Sequence, residues 1–139
     1  MTKVIRQYVV RKLKEPTEKS VDRDIEWVCD SLGFINPRDQ DKTAFKILKA
    51  LVKASKKGTG MTSEELTAIV KPTIGSVIYH LKKLIKSGLV VKLESKYELR
   101  MNSLLMTIEE INKDINSTLD YIKHISKEID DKIGLEHRS

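Results

Sequence analysis

Residues 72–92, "PTIGSVIYHLKKLIKSGLVVK", decide how this chain is read. Ile74, Val77, Ile78, Leu81, Leu84 and Ile85 recur at helical spacing and form one broad apolar side. Thr73, Ser76, Tyr79, His80, Lys83 and Lys86 collect on the other. Thr73 is placed to cap the helix, and Ser87-Gly88 stops it just before Leu89-Val90-Val91. A helix that had only to be soluble needs no particular order of polar groups. This one grades from small residues, Gly75 and Ser76, to the longer donors Tyr79, His80 and Lys83.

Upstream, Thr62-Ser63-Glu64-Glu65 reads as a capping box, with Thr62 bonding forward and Glu65 back. It opens a short helix to Val70 with Leu66, Ile69 and Val70 inward, and Lys71-Pro72 makes a tight turn. A longer helix precedes it over residues 41–56, its apolar face built from Ala44, Ile47, Leu48, Leu51 and Val52, and "KKGTG" breaks it. Downstream, "LVVKL" and "KYELRM" read as two strands joined by Glu94-Ser95. Helix, short helix, tight turn, helix and hairpin is the order of a winged helix-turn-helix.

The stretch "TIGSVIYHLKKLIKSGLV" resembles the recognition helix and first wing strand of ArsR-type winged-helix regulators, most of all the archaeal ones. The shared pattern is the Thr73 cap, an inward Val77, the step His80-Leu81-Lys82, Leu84, and Gly88-Leu89-Val90 leading into the wing. It covers residues 41–101 and implies the fold and a role in DNA-dependent regulation. The Cys-rich helix of the metal-sensing members has no counterpart here, so the resemblance does not imply metal sensing. Winged helices also dock onto proteins, and fold alone does not establish DNA binding.

Two segments flank this unit. Residues 3–14, "KVIRQYVVRKLK", fit a helical stripe or a strand; their β-branched content leans toward the strand. Ser20 caps a helix to about Leu32, with Val21, Ile25, Val28 and Leu32 inward, Trp27 and Cys29 near the inner face and Gly33 at its end. "INPRDQD" turns the chain into the next helix. Residues 102–133 hold no Pro or Gly, and Ile108, Ile115, Ile122 and Ile129 recur every seven residues. Ile111, Leu119, Ile125 and Ile133 fill the intermediate positions, leaving Glu109, Lys113, Asp120 and Lys127 on the wet side. Such a helix either folds back on its own core or pairs with a second copy; the strict repeat favours pairing.

The expected fold is therefore mainly α with a small β-hairpin. Residues 1–40 are an N-terminal extension (a strand and a helix), 41–101 a winged helix-turn-helix DNA-binding domain, and 102–134 a coiled-coil-like dimerisation helix. Of 139 residues, 40% are hydrophobic and 33% charged, the composition of a globular chain rather than a disordered one. No apolar run approaches the roughly 20 residues that span a bilayer. Met1 to Lys14 is too charged for a signal peptide. The single Cys29 forms no internal disulfide, no Cys/His cluster has zinc-ligand spacing, and a reducing cytoplasmic setting is expected.

The net charge of +6 is unevenly spread. Residues 41–71 hold seven Lys+Arg against three Asp+Glu, and 72–100 hold six against two. Residues 101–139 hold five against eight. A basic middle of this kind suits a polyanion, because neutralising phosphates releases condensed counterions. No nucleophile, metal or phosphate motif points to an enzyme, and no cofactor is expected.

These observations converge on double-stranded DNA as the partner of a homodimer, with the recognition helix over residues 73–87 and the wing over 89–101. Base edges would be met by Thr73, Ser76, Tyr79 and Lys83. Lys82, Lys86, Lys92 and Lys96 would meet phosphates and position the domain. His80 either packs or caps locally or touches DNA. Ile108, Ile111, Ile115, Leu119, Ile122, Ile125 and Ile129 would form the dimer seam. The competing expectation is a protein-interaction adaptor of the transcription machinery, whose mark would be a flat apolar outer face on the recognition helix. Operator, sign of regulation and any small-molecule effector are not written in the residues.

Overall fold

A computed structural model describes residues 2–71 and 73–135. Among these residues the helices are α1 (Val21–Ser31), α2 (Thr43–Ser55), α3 (Ser63–Val70), α4 (Ile74–Lys86) and α5 (Leu104–Ile133). Three short strands, β1 (Met61–Thr62), β2 (Val90–Leu93) and β3 (Lys96–Leu99), form an antiparallel sheet in the order β1-β3-β2. The architecture is the expected one, mainly helical with a small sheet and a long C-terminal helix, and it matches a winged helix.

The helix-turn-helix is fixed by its caps. Thr62 accepts from the Glu65 N–H at 3.1 Å while Glu65 Oε1 accepts from the Thr62 N–H at 3.1 Å, so both arms of the capping box are made. Lys71 closes α3 in the left-handed region at φ 69°, its N–H on the Thr67 carbonyl. Pro72, the other half of the expected turn, lies outside the described residues. Thr73 then caps α4, accepting from the Ser76 N–H at 3.2 Å.

Between these ends the apolar faces meet. Ile47, Leu48 and Leu51 of α2, Leu66 of α3, and Val77, Leu81 and Leu84 of α4 are fully buried together. Leu89, Val90, Tyr97 and Leu99 close the core from the sheet, and Ile25 and Cys29 bring α1 into it. The strand β1, bonded to β3 through the pairs Met61↔Tyr97 and Thr62↔Lys96, had no expectation in the sequence. Two residues are too few to show a period. Gly60 makes the contact possible, since a Cβ there would sit 2.8 Å from the Tyr97 carbonyl oxygen.

Three expectations about inward residues are corrected, and so is the N-terminal strand. Val21, Ile69 and Ile74 are exposed: Val21 and Ile74 are the first residues of their helices, and Ile69 lies off the α3 face that buries Leu66 and Val70. Residues 3–14 form no strand but run extended over helix ends. The Gln7 N–H donates to the Lys86 carbonyl at 3.2 Å and the Arg11 N–H to the Ser31 carbonyl at 2.7 Å. Those carbonyls belong to the last residues of α4 and α1, where helices lack internal partners. The backbone partners this segment finds are helix ends rather than a sheet edge.

Asp114, in the fourth turn of α5, holds three parts of the chain together. Its Oδ2 accepts from Arg100 at 2.6 Å, at the end of the wing, and from Arg6 at 2.8 Å, in the N-terminal arm. The Arg100 guanidinium above all, with Tyr8 and Arg6 behind it, holds the Asp114 carboxyl below the usual carboxylate range. A depressed folded-state value stabilises the protein above the ordinary carboxylate range and is lost as pH falls through the folded value. Asp114→Asn should therefore lower stability at pH 7 by about 1–2 kcal/mol. Urea melts repeated down to strongly acidic pH should show the gap between variant and parent closing; a gap independent of pH would contradict the electrostatic account.

Candidate nucleic-acid interface

The surface in question is the outer side of α4 with the wing beside it. With Val77, Leu81 and Leu84 wholly buried, the opposite side of α4 is forced outward. Thr73, Gly75, Tyr79, Lys82, Lys83 and Lys86 are exposed and Ser76 is half-buried. Beyond the Thr73 side chain, nothing approaches the space that a Cβ on Gly75 would fill, so backbone lies open at the N-terminal end of the helix. Tyr79 is 55% exposed, with Lys83 Nζ 4.7 Å from its ring centroid. That contact stiffens an aromatic and a cation side by side on the same turn.

His80 is committed elsewhere. Its Nδ1 lies 2.8 Å from the Ser76 carbonyl oxygen and its Nε2 faces Asp39 Oδ2 at 3.5 Å. Asp39 in turn accepts from the Thr43 N–H at 3.0 Å, which caps α2 in place of Lys42. Of the two roles open to His80, the geometry favours the local one: it ties α4 to the start of α2. Tyr79 meets its ring edge-on, centroids 5.2 Å apart, so His80 also props the exposed aromatic.

On the wing, Lys92 and Lys96 are exposed on adjacent strands, Lys92 opposite Tyr97 and Lys96 opposite Leu93 beside the turn. Lys92 Nζ lies 5.4 Å from the Tyr97 ring centroid. Glu94 takes a left-handed conformation at φ 59° to make the turn. Thus Thr73, Ser76, Tyr79, Lys82, Lys83 and Lys86 share one helix face, while Lys92 and Lys96 stand on the hairpin beyond it.

Sequence reasoning missed two contributors. Arg38, in the turn before α2, lies with Tyr79, His80 and Lys83 around one groove. The arm residues Gln7 and Val9 close its other side. No periodic signal links residues so far apart in the chain; the arm is brought there by tertiary contacts such as the Gln7 and Arg11 N–H bonds to the Lys86 and Ser31 carbonyls.

The apolar stripe expected to form a dimer seam divides in two. Ile111 is 4% exposed and packs in the core of its own protomer, so it is unavailable to a partner. Ile108 and Ile115 are half-buried against the same core. Leu119, Ile122, Ile125 and Ile129 are exposed. At 1.5 Å per residue the 30 residues of α5 extend about 45 Å, and the small domain covers only the first turns. The stripe is continuous in sequence but changes its covering near residue 115.

Little else competes as a site. Among the described residues, no group of three or more His, Cys, Asp or Glu could hold a metal ion. Burial, with Glu26 and Asp30 behind it, pushes the Cys29 thiol up to about 12, which leaves it unreactive. No described helix is long and apolar enough to cross a membrane.

The fold and this face define a winged-helix DNA-binding protein linked to transcription. A family model covers residues 41–119, more than half of the chain, and the protein belongs to that family, described as the B-block binding subunit of TFIIIC. It is a family of DNA-binding transcription-factor domains rather than of enzymes. The family match supports the winged helix and leaves the ArsR type, which the recognition-helix motif resembles, unconfirmed. Neither the curated proteins nor the solved structures gave a match.

The in-chain contacts of His80 make a prediction. His80→Ala should cost about 1 kcal/mol of folding stability, from a lost hydrogen bond and the loosened start of α2. Chemical denaturation checks this. A variant as stable as the parent, but with weakened DNA binding, would return His80 to the interface.

Proposed function

We propose that this chain is a cytoplasmic, sequence-specific double-stranded-DNA-binding transcriptional regulator acting as a homodimer. In this reading α4 enters the major groove, with Thr73, Ser76, Tyr79 and Lys83 at base edges. Lys82, Lys86, Lys92 and Lys96 lie along phosphates. Residues 1–40 are an extension on the reading domain, and the distal half of α5 pairs with its copy. The single observation that carries it is the division of α4 into an apolar side anchored by the fully buried Val77, Leu81 and Leu84 and an outer side graded from Gly75 to Lys86. The likeness of Thr73 to Val90 to archaeal ArsR-type regulators supports an inverted-repeat operator read by two copies.

The test is binding of duplex DNA by fluorescence anisotropy, first random and then selected from a random pool. About 6–10 phosphate contacts per dimer would reduce affinity by about 10³–10⁵ between roughly 50 and 200 mM salt. Tyr79→Ala should cost selected-site binding about 1–3 kcal/mol and change random binding little. Lys92→Ala or Lys96→Ala should weaken both and lower the salt slope by about one unit each. A flat salt profile, or an intact sequence preference in a folded Tyr79→Ala protein, would overturn this reading.

Pairing through α5 is supported by the exposed Leu119, Ile122, Ile125 and Ile129, a seam that water would otherwise cover. Ile122→Glu combined with Ile129→Glu should turn a dimer into a folded monomer by light scattering, since neither residue touches the core. A parent that is already monomeric, or a variant that stays dimeric, removes the claim.

One observation favours the adaptor as a second reading. Lys46, Lys49, Lys53 and Lys57 edge a shallow groove that also holds Ala50, Ala54 and the exposed Ile69, away from the α4 face. An acidic apolar helix would suit it. Random-duplex binding separates the two, because an adaptor needs none.

A further inference from the structure

The groove between the N-terminal arm and α4 measures about 480 Å³, within the roughly 300–1,000 Å³ of small-ligand sites. One part of its lining is apolar: Leu32 and Phe34, half-buried against the core, with the exposed Val9 of the arm. Gly33 lets the arm sit this close, because at φ 81° it takes a backbone most residues avoid, and a Cβ there would lie 2.7 Å from Val9 Cγ1. The exposed rim carries Arg38, Lys83 and Lys86. Among the described residues none of these three has a carboxylate within ion-pair distance. The one acid in the groove, Asp39, is already engaged by the Thr43 N–H and faces His80. Three cations without a carboxylate partner beside an apolar wall suit a ligand that is itself half apolar and half anionic.

We infer that this groove binds a small aromatic or aliphatic monoanion, carboxylate or sulfonate, with its apolar body on Val9, Leu32 and Phe34 and its charge between Arg38 and Lys83. Because Lys83 also stands on the outer face of α4, an occupied groove withdraws that side chain and places negative charge where a phosphate would approach. Ligand and DNA therefore oppose each other. The site itself stands on the groove's geometry; only the opposition rests on the DNA-binding role proposed for α4.

Naphthalene-2-sulfonate serves as the probe, titrated into the full-length protein and followed by amide chemical shifts in a ¹H–¹⁵N spectrum. Saturable shifts are expected at residues 7–9, 32–39 and 79–87. The neutral analogue 2-naphthalenemethanol should bind about tenfold more weakly, one charge-assisted hydrogen bond being lost. Arg38→Glu should weaken the sulfonate by at least as much, and Arg38→Lys should restore most of it. Arg38 is exposed, so neither change threatens the fold. Shifts confined to α5, or equal affinity for the sulfonate and the alcohol, would overturn the assignment. Anisotropy with random duplex then tests the opposition: saturating sulfonate should lower DNA affinity beyond an equal concentration of chloride, and no difference would refute the coupling. Absence of any DNA binding, with the shifts still present, would instead remove the function proposed above and leave the site standing.

Discussion

Everything presented outward by this protein depends on how completely α4 is held from behind. Val77, Leu81 and Leu84 are fully buried among Ile47, Leu48, Leu51 and Leu66, and each such side chain contributes about 1.5–3 kcal/mol by leaving water. That packing leaves α4 no freedom to roll about its axis. A rolled helix would bury Tyr79 or Lys83 and expose leucine. Because it cannot, the polar side faces solvent in one fixed order, and small residues stand where the helix begins.

The ends of the elements add orientation to this. Thr73 and the Thr62–Glu65 box fix where α3 and α4 start, and His80 with Asp39 ties α4 to α2. Gln7 occupies the last carbonyl of α4. Asp114 then joins Arg100 and Arg6, which links the wing, the arm and the root of α5. A dimer formed along the distal part of α5 would transmit its geometry to α4 through this node.

The residues announced much of this in advance, and the reasons are specific. The helix-turn-helix was legible because caps and amphipathic periods are local: Thr62, Glu65, Thr73 and the stripe from Val77 to Leu84 need no distant partner to be recognised. The arm was not, since its course depends on the carbonyls of Ser31 and Lys86, which are far away in the chain. Ile111 was assigned to a seam because a seven-residue repeat cannot say which stretch is covered by its own domain. Arg38 went unnoticed for the same reason as the arm: its neighbours, Tyr79 and Lys83, meet it only in three dimensions. Ile74 shows the opposite error, where a period was followed past the point at which the core ends.

The claim that the outer face of α4 lies against DNA is tested most directly by proximity. Ser76→Cys and Lys53→Cys, each in a Cys29→Ala background and each carrying a short photoreactive azide, would be irradiated with the selected duplex. Position 76 stands on the α4 face, and position 53 on the outer side of α2, which packs on the same core from another direction. The account predicts cross-links to bases from position 76 and none from position 53. Cross-links from position 53 with none from position 76 would contradict it.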